Sequence, residues 1–215
     1  SKGLELLKNL PEGAERVEQE INMQIVLGGS LMATKGYGVP EVEEAFSRAR
    51  QLCQQIGETS QLFQALRGLC LFYLVQPELK AARELGEQCL RLAKSLRDPA
   101  FLIEAHRVLL PPLFCLGEFT LVQEHSAEGI NLYELQQHRS LAFLYGVDPG
   151  VVCLSYGAWT LWVLGFPDQA LDKIHAALKL AGKLSNPFSL GLALSFAGKL
   201  HQFCREVGAT QEQAE

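Results

Sequence analysis

Apolar residues recur along most of the chain at the i, i+3, i+4 and i+7 positions, as in Leu85, Cys89, Leu92 and Leu96. No stretch sustains an alternation of period two, so the pattern predicts helices and no strands. Prolines divide the helical stretches and stand where helices begin, a position at which a missing N–H costs nothing and a fixed φ helps. Asp98-Pro99, Asp148-Pro149 and Asn186-Pro187 each place a capping side chain before the first helical residue. Pro40, Pro77 and Pro167 mark three further starts. Helices are predicted over 11–36, 40–56, 59–75, 78–97, 99–116, 119–135, 149–164, 167–184 and 187–206, with a partial helix at each end of the chain. Links of two to four residues make neighbouring helices antiparallel. The segment 136–148 is longer, and reads as an inserted loop with room for one helical turn.

The hairpins are related to one another. Gly165-Phe-Pro-Asp-Gln-Ala170, continuing through Ala177 to Leu178-Lys-Leu180, matches Pro77-Glu-Leu-Lys-Ala-Ala82, continuing through Cys89 to Leu90-Arg-Leu92. In both, a turn residue leads by five to a small residue, and that one by seven to a second. Gly117 with Val122 and Gly129 follows the same frame, and Pro40 with Ala45 and Leu52 is a poorer copy. Small residues are needed where helices of one hairpin, and the hairpin stacked on it, approach closely. This frame resembles the tetratricopeptide repeat. The anchors Ala45, Ala82, Val122 and Ala170 stand 37, 40 and 48 residues apart, longer than the usual period of about 34. The resemblance implies an all-α fold: a right-handed α–α superhelix, or TPR-like solenoid, of about four to five antiparallel helix hairpins, as a single array over 1–215.

Ala33-Thr-Lys-Gly-Tyr37, Ala82-Arg-Glu-Leu-Gly-Glu-Gln88 and His138-Arg-Ser-Leu-Ala142 resemble the MalT-like repeat regions of bacterial multidomain signalling ATPases. Those proteins often begin with an adenylate/guanylate cyclase or protein-kinase domain. That resemblance implies a segment of a larger protein, a role in regulation or assembly, and partners that include other domains of the same chain.

Composition narrows the function classes. With 215 residues, 48% of them hydrophobic, the chain has ample apolar surface for a continuous core. A net charge of −5 and the absence of any basic run argue against nucleic-acid binding. Charged or amide residues interrupt every apolar stretch before the ~20 residues needed to cross a bilayer, so no membrane span is expected. The six cysteines lie at irregular separations without a C-x-x-C pair, which fits a reducing cytoplasm.

Known chemical motifs fail at specific points. The run from Gly28-Gly29 to Lys35-Gly36 has the wrong order for a phosphate loop and lies in a predicted helix, where glycines allow close packing. The five histidines form no H-x-x-x-H or H-E-x-x-H pair for zinc. No cofactor, metal or catalytic residue is expected, and the chain reads as a non-enzyme.

The repeat register instead suggests a partner-binding wall on the first helix of each hairpin. It runs through Ser30 and Thr34, Gln64 and Arg67, Glu104 and Arg107, Ser155, Trp159 and Trp162, then Ser195, Lys199 and Gln202. Arg67 and Arg107 occupy equivalent positions and can grip a carboxylate or acidic peptide; nearby glutamates or solvent are the alternative. Leu71 and Pro111 stand where a carboxylate-clamp domain carries asparagines. Trp159 and Trp162 are either hot spots for a protein partner or core. Pro111-Pro112 removes two backbone hydrogen bonds from its helix and predicts a kink. The expected function is a protein-interaction and regulatory scaffold for a peptide, a partner domain or a second copy. The alternative is a small-ligand sensor acting on an upstream ATPase, cyclase or kinase module.

Overall fold

A computed structural model describes residue 7, residues 13–57 and residues 59–205. Every regular element among them is a helix: α1 Ala14–Lys35, α2 Pro40–Ile56, α3 Ser60–Val75, α4 Leu79–Leu96, α5 Pro99–Cys115, α6 Phe119–Leu132, α7 Leu135–His138, α8 Leu141–Tyr145, α9 Pro149–Val163, α10 Pro167–Lys183 and α11 Pro187–Phe203. The predicted helix ends agree with these to within about three residues. The partial helix expected at the C-terminal end lies outside the described residues, as does most of the one at the N-terminal end.

Local chemistry sets the boundaries. Thr59 Oγ1 accepts the Leu62 N–H at 3.2 Å, Asp148 Oδ1 that of Val151 at 3.0 Å, and Asn186 Oδ1 that of Ser189 at 2.8 Å. Each satisfies a backbone donor that the first helical turn leaves open, and losing such a cap costs about 1 kcal/mol. Three hairpin turns share one hydrogen-bond signature. The N–H of Glu78, Glu118 and Phe166 donates to the carbonyl five residues earlier, on Tyr73, Leu113 and Leu161, at 2.9–3.0 Å. Such a bond closes a helix C-terminus. Four residues later, the anchors Ala82, Val122 and Ala170 donate to the carbonyls of Glu78, Glu118 and Phe166. All three anchors are fully buried, and Ala45 nearly so.

The described residues form two compact units, one ending at Asp98 and the other beginning at Pro99. In the first, α1 packs on α2 and α3, α2 on α3, and α3 on α4. The centre of this packing is the Phe46 ring of α2, seated on Gly28 of α1 and Gly68 of α3. A Cβ on Gly28 would stand 2.6 Å from the ring and one on Gly68 2.5 Å, closer than carbon atoms approach, so the hairpins interlock there only because both residues lack a side chain.

The second unit repeats the scheme. Helix α5 packs on α6 and α9, α6 on α9, α9 on α10 and α11, and α10 on α11. Ala158, Ala170, Ile174, Ala177, Ala197 and Leu200 form one of its cores. The short helices α7 and α8 are an insertion between α6 and α9, which accounts for the long spacing from Val122 to Ala170. Tyr133 Oη donates to Asp148 Oδ2 at 2.7 Å, and the Asp148 N–H donates to Ser189 Oγ at 2.9 Å, tying the insertion to the starts of α9 and α11. Helix α5 runs through Pro111-Pro112 to Cys115, and both prolines are buried.

Candidate partner-binding surface

Helices α9 and α11 bring three of the predicted wall residues, Trp159, Trp162 and Lys199, to one face of the second unit. The Trp159 ring stacks on Phe196 with centroids 4.0 Å apart and planes at 26°, and its Nε1–H donates to the Phe196 carbonyl at 2.9 Å. Trp162 stacks on Phe203 at 4.7 Å and 27°. Lys199 Nζ lies 5.4 Å from the Trp159 ring centroid, within the reach of a cation–π contact. Both tryptophans are half-buried, while Gln202 and Phe203 are exposed. Part of each indole is therefore core and part is surface.

Beneath this face the aromatic packing continues. Tyr156 meets Phe196 edge-on at 5.0 Å and Phe114 at 5.7 Å, and Phe114 also tilts against Trp159 at 5.9 Å. Burial pushes the Tyr156 phenol up to about 12, with Cys115 adding to the rise and Arg107 opposing it, so the ring is neutral at ordinary pH. Rigid, mutually stacked aromatics lose little conformational freedom when a partner covers them, which is the property of interface anchors. Phe196 and Phe203 are not part of the wall read from sequence. Their spacing around Lys199 on a single helix is the available signal.

The other predicted residues are not part of these stacks, and Ser195 is exposed on α11. Ser155 is fully buried, and its hydroxyl donates to the Val151 carbonyl at 2.8 Å. Glu104 is 0% exposed and Arg107 5%, and they form an ion pair inside the second unit, with Arg107 Nε donating to Glu104 Oε2 at 3.1 Å. Gln64 and Arg67 are half-buried on α3 of the first unit. Ser30 and Thr34 are exposed on α1 and return their hydroxyls to the carbonyls of Val26 and Ser30.

Titratable groups near the buried pair are shifted toward their neutral forms. Burial pushes the Cys153 thiol up to about 12, against a smaller opposing effect of Arg107. Burial also raises the Asp148 carboxyl, outweighing the Tyr133 and backbone hydrogen bonds that lower it. His106 and His125 meet Nδ1 to Nδ1 at 2.9 Å, so one ring nitrogen donates and the other accepts. Among the described residues no group of three or more His, Cys, Asp or Glu side chains is placed to hold a metal ion, and no helix is long and apolar enough to cross a membrane.

No family model matches the chain, and no curated protein matches it by sequence. Solved structures do. The crystal structure of BtubC (BKLC) from P. vanneervenii is similar at a TM-score of 0.73 and 12% identity, over 99% of this chain and 84% of that one. That of a putative kinesin light chain from Podosopora anserina, with nearly identical TPR-like repeats, is similar at 0.64 and 12% identity, over 90% of this chain and 91% of that one. At such identity the likeness establishes fold alone. With the repeated turn bonds, the buried small-residue anchors and the helix packing, it makes the chain an all-α, TPR-like helical-repeat protein.

Proposed function

We propose that this chain is a non-catalytic protein-interaction scaffold that binds a peptide or partner helix on the aromatic face of α9 and α11. The observation carrying the proposal is the pair of half-buried indole stacks, Trp159 on Phe196 and Trp162 on Phe203, with Lys199 beside them. An apolar partner side chain would cover the stacks, and a partner carboxylate would meet Lys199. The sequence resemblance to bacterial signalling proteins supports a place in a cytoplasmic, multidomain regulator whose partner is another of its domains or a second copy.

Selection of a displayed peptide library on the wild-type chain, with counter-selection on Lys199→Glu and Trp162→Ala variants, tests this reading. The expected outcome is a set of peptides with an aromatic or long aliphatic residue and a nearby acid that the variants fail to retain. Peptides retained equally by all three chains would refute it.

A second reading, a small-ligand sensor that regulates an attached catalytic module, is favoured by a separate observation: a cavity of about 310 Å³ lies against the 136–148 insertion.

A further inference from the structure

Helix α8 is short, and its two sides differ sharply. Leu141 and Ala142 are buried and hold it down, while Phe143 is 73% exposed and Leu144 62%. Arg139 and Ser140, just before it, are exposed as well. Across from them runs the turn between α10 and α11, where Leu184 is buried and Lys183 is exposed. Asn186 in that turn commits its Oδ1 to the Ser189 N–H and keeps its amide N–H groups as donors. The cavity of about 310 Å³ lies between these two segments, at the small end of the ~300–1,000 Å³ typical of ligand sites.

The chemistry of the lining is one-sided. Arg139 and Lys183 both line the cavity, and no acidic residue does. Among the described residues neither cation has an ion-pair partner. Ser140, Ser185 and the Asn186 amide add neutral donors, while Phe143, Ala142 and Leu184 supply an apolar wall and floor. The platform is fixed, because Tyr133, Asp148 and Ser189 tie the insertion to α9 and α11, and the His138 Nδ1 accepts the Glu134 N–H at 2.9 Å.

We infer that this cavity binds a small organic anion, its carboxylate or phosphate head held by Arg139 and Lys183 and its apolar body laid against Phe143 and Leu184. Arg139 supplies a planar fork that matches two oxygens, and Lys183 supplies a point charge. The inference rests on the sensor reading, names its ligand class, and is independent of the α9–α11 surface.

The test is a titration of the ¹⁵N-labelled full chain with phenyl phosphate, benzoate, inorganic phosphate and benzyl alcohol, following backbone amide signals. Phenyl phosphate and benzoate are expected to move the signals of Phe143, Ser185 and Asn186. Benzyl alcohol and inorganic phosphate should bind at least about tenfold more weakly, one lacking the charge and the other the apolar body. Arg139→Gln with Lys183→Gln, both at exposed positions where folding is insensitive, should raise the Kd for phenyl phosphate at least about tenfold. Benzyl alcohol binding as tightly as the anions would overturn the anion assignment and leave the sensor reading standing. Inorganic phosphate binding as tightly as phenyl phosphate would overturn the organic body. No response from any probe at these residues would overturn the inference and the sensor reading together.

Discussion

Gly28 and Gly29 are neighbours in α1 with opposite surroundings, and replacing each with alanine isolates the cost of closing the helix–helix approach. A Cβ on Gly28 meets Phe46 Cε2 at 2.6 Å and Cζ at 2.7 Å, whereas one on Gly29 meets nothing within 4 Å. In a helix interior alanine is favoured over glycine by about 0.8–1.0 kcal/mol, and that gain is common to both positions. Gly29→Ala should therefore stabilise the protein by nearly that amount. Gly28→Ala adds an overpacking cost of about 1–3 kcal/mol. The ring has little room to retreat, being seated on Gly68 as well. The net effect of Gly28→Ala is a loss of up to about 2 kcal/mol, and the two variants differ by the overpacking term alone, about 1–3 kcal/mol. Urea unfolding followed by circular dichroism at 222 nm reads both, and thermal midpoints should separate by about 2–4 °C for each kcal/mol. Phe46→Leu in the Gly28→Ala background should recover part of the loss. Equal and same-sign shifts for the two alanine variants would refute the interlocked packing.

Three further outcomes follow from the second unit. Arg107→Met should destabilise by about 3–5 kcal/mol because it removes the ion-pair partner of the buried Glu104 carboxylate, and adding Glu104→Gln should recover part of that in a double-mutant cycle of urea midpoints. Asp148 has a raised pKa in the folded state, so the native chain holds that proton more tightly than the unfolded one. Stability from this group is full below its unfolded value near 3.8 and is lost as pH rises through the folded value. The difference in unfolding free energy between wild type and Asp148→Asn, which keeps a capping oxygen, should change across that window and be flat above it. In iodoacetamide labelling of the native protein at pH 8, exposed Cys115 should react well before Cys153, which is buried with its thiol pushed up to about 12.

Much of the fold is legible in the sequence because backbone requirements write themselves into residue type. Proline at helix starts, Asp148 and Asn186 at caps, and the five-plus-seven spacing from Gly117 and Gly165 each reflect a local constraint, and each reappears as a boundary or a turn bond. Packing of Gly28 is also legible, as helix contact in place of phosphate binding. The proposed partner surface is half legible. Trp159, Trp162 and Lys199 share a face, but the stacks pair the indoles of α9 with Phe196 and Phe203 of α11, and the periodicity of either helix alone carries no record of that pairing.

The charged pair of α5 shows why the rest is hidden. Glu104 and Arg107 stand three apart, a spacing normally associated with a solvated surface pair. Yet Ile103, Ala105, His106, Val108, Leu109, Leu110 and Leu113 are buried as well, so this helix has core contacts on all sides and its charges go inside with them. An apolar pattern that wraps a whole helix is the signal available. The insertion is similarly under-determined. Its sequence reads as a loop with one turn, whereas it holds two short helices whose order comes from the Tyr133–Asp148–Ser189 chain of bonds.

The chain has only two tryptophans, so its indole N–H groups give two NMR signals that report directly on the proposed partner surface. The decisive measurement is the ¹H–¹⁵N indole spectrum of the full chain titrated with a peptide selected on the wild-type protein. Binding on the α9–α11 face should shift the Trp162 signal with the peptide's Kd, carry the Trp159 signal with it while its bond to the Phe196 carbonyl persists, and give both responses a common weakening in Lys199→Glu. Saturable peptide binding with both indole signals unmoved would contradict it.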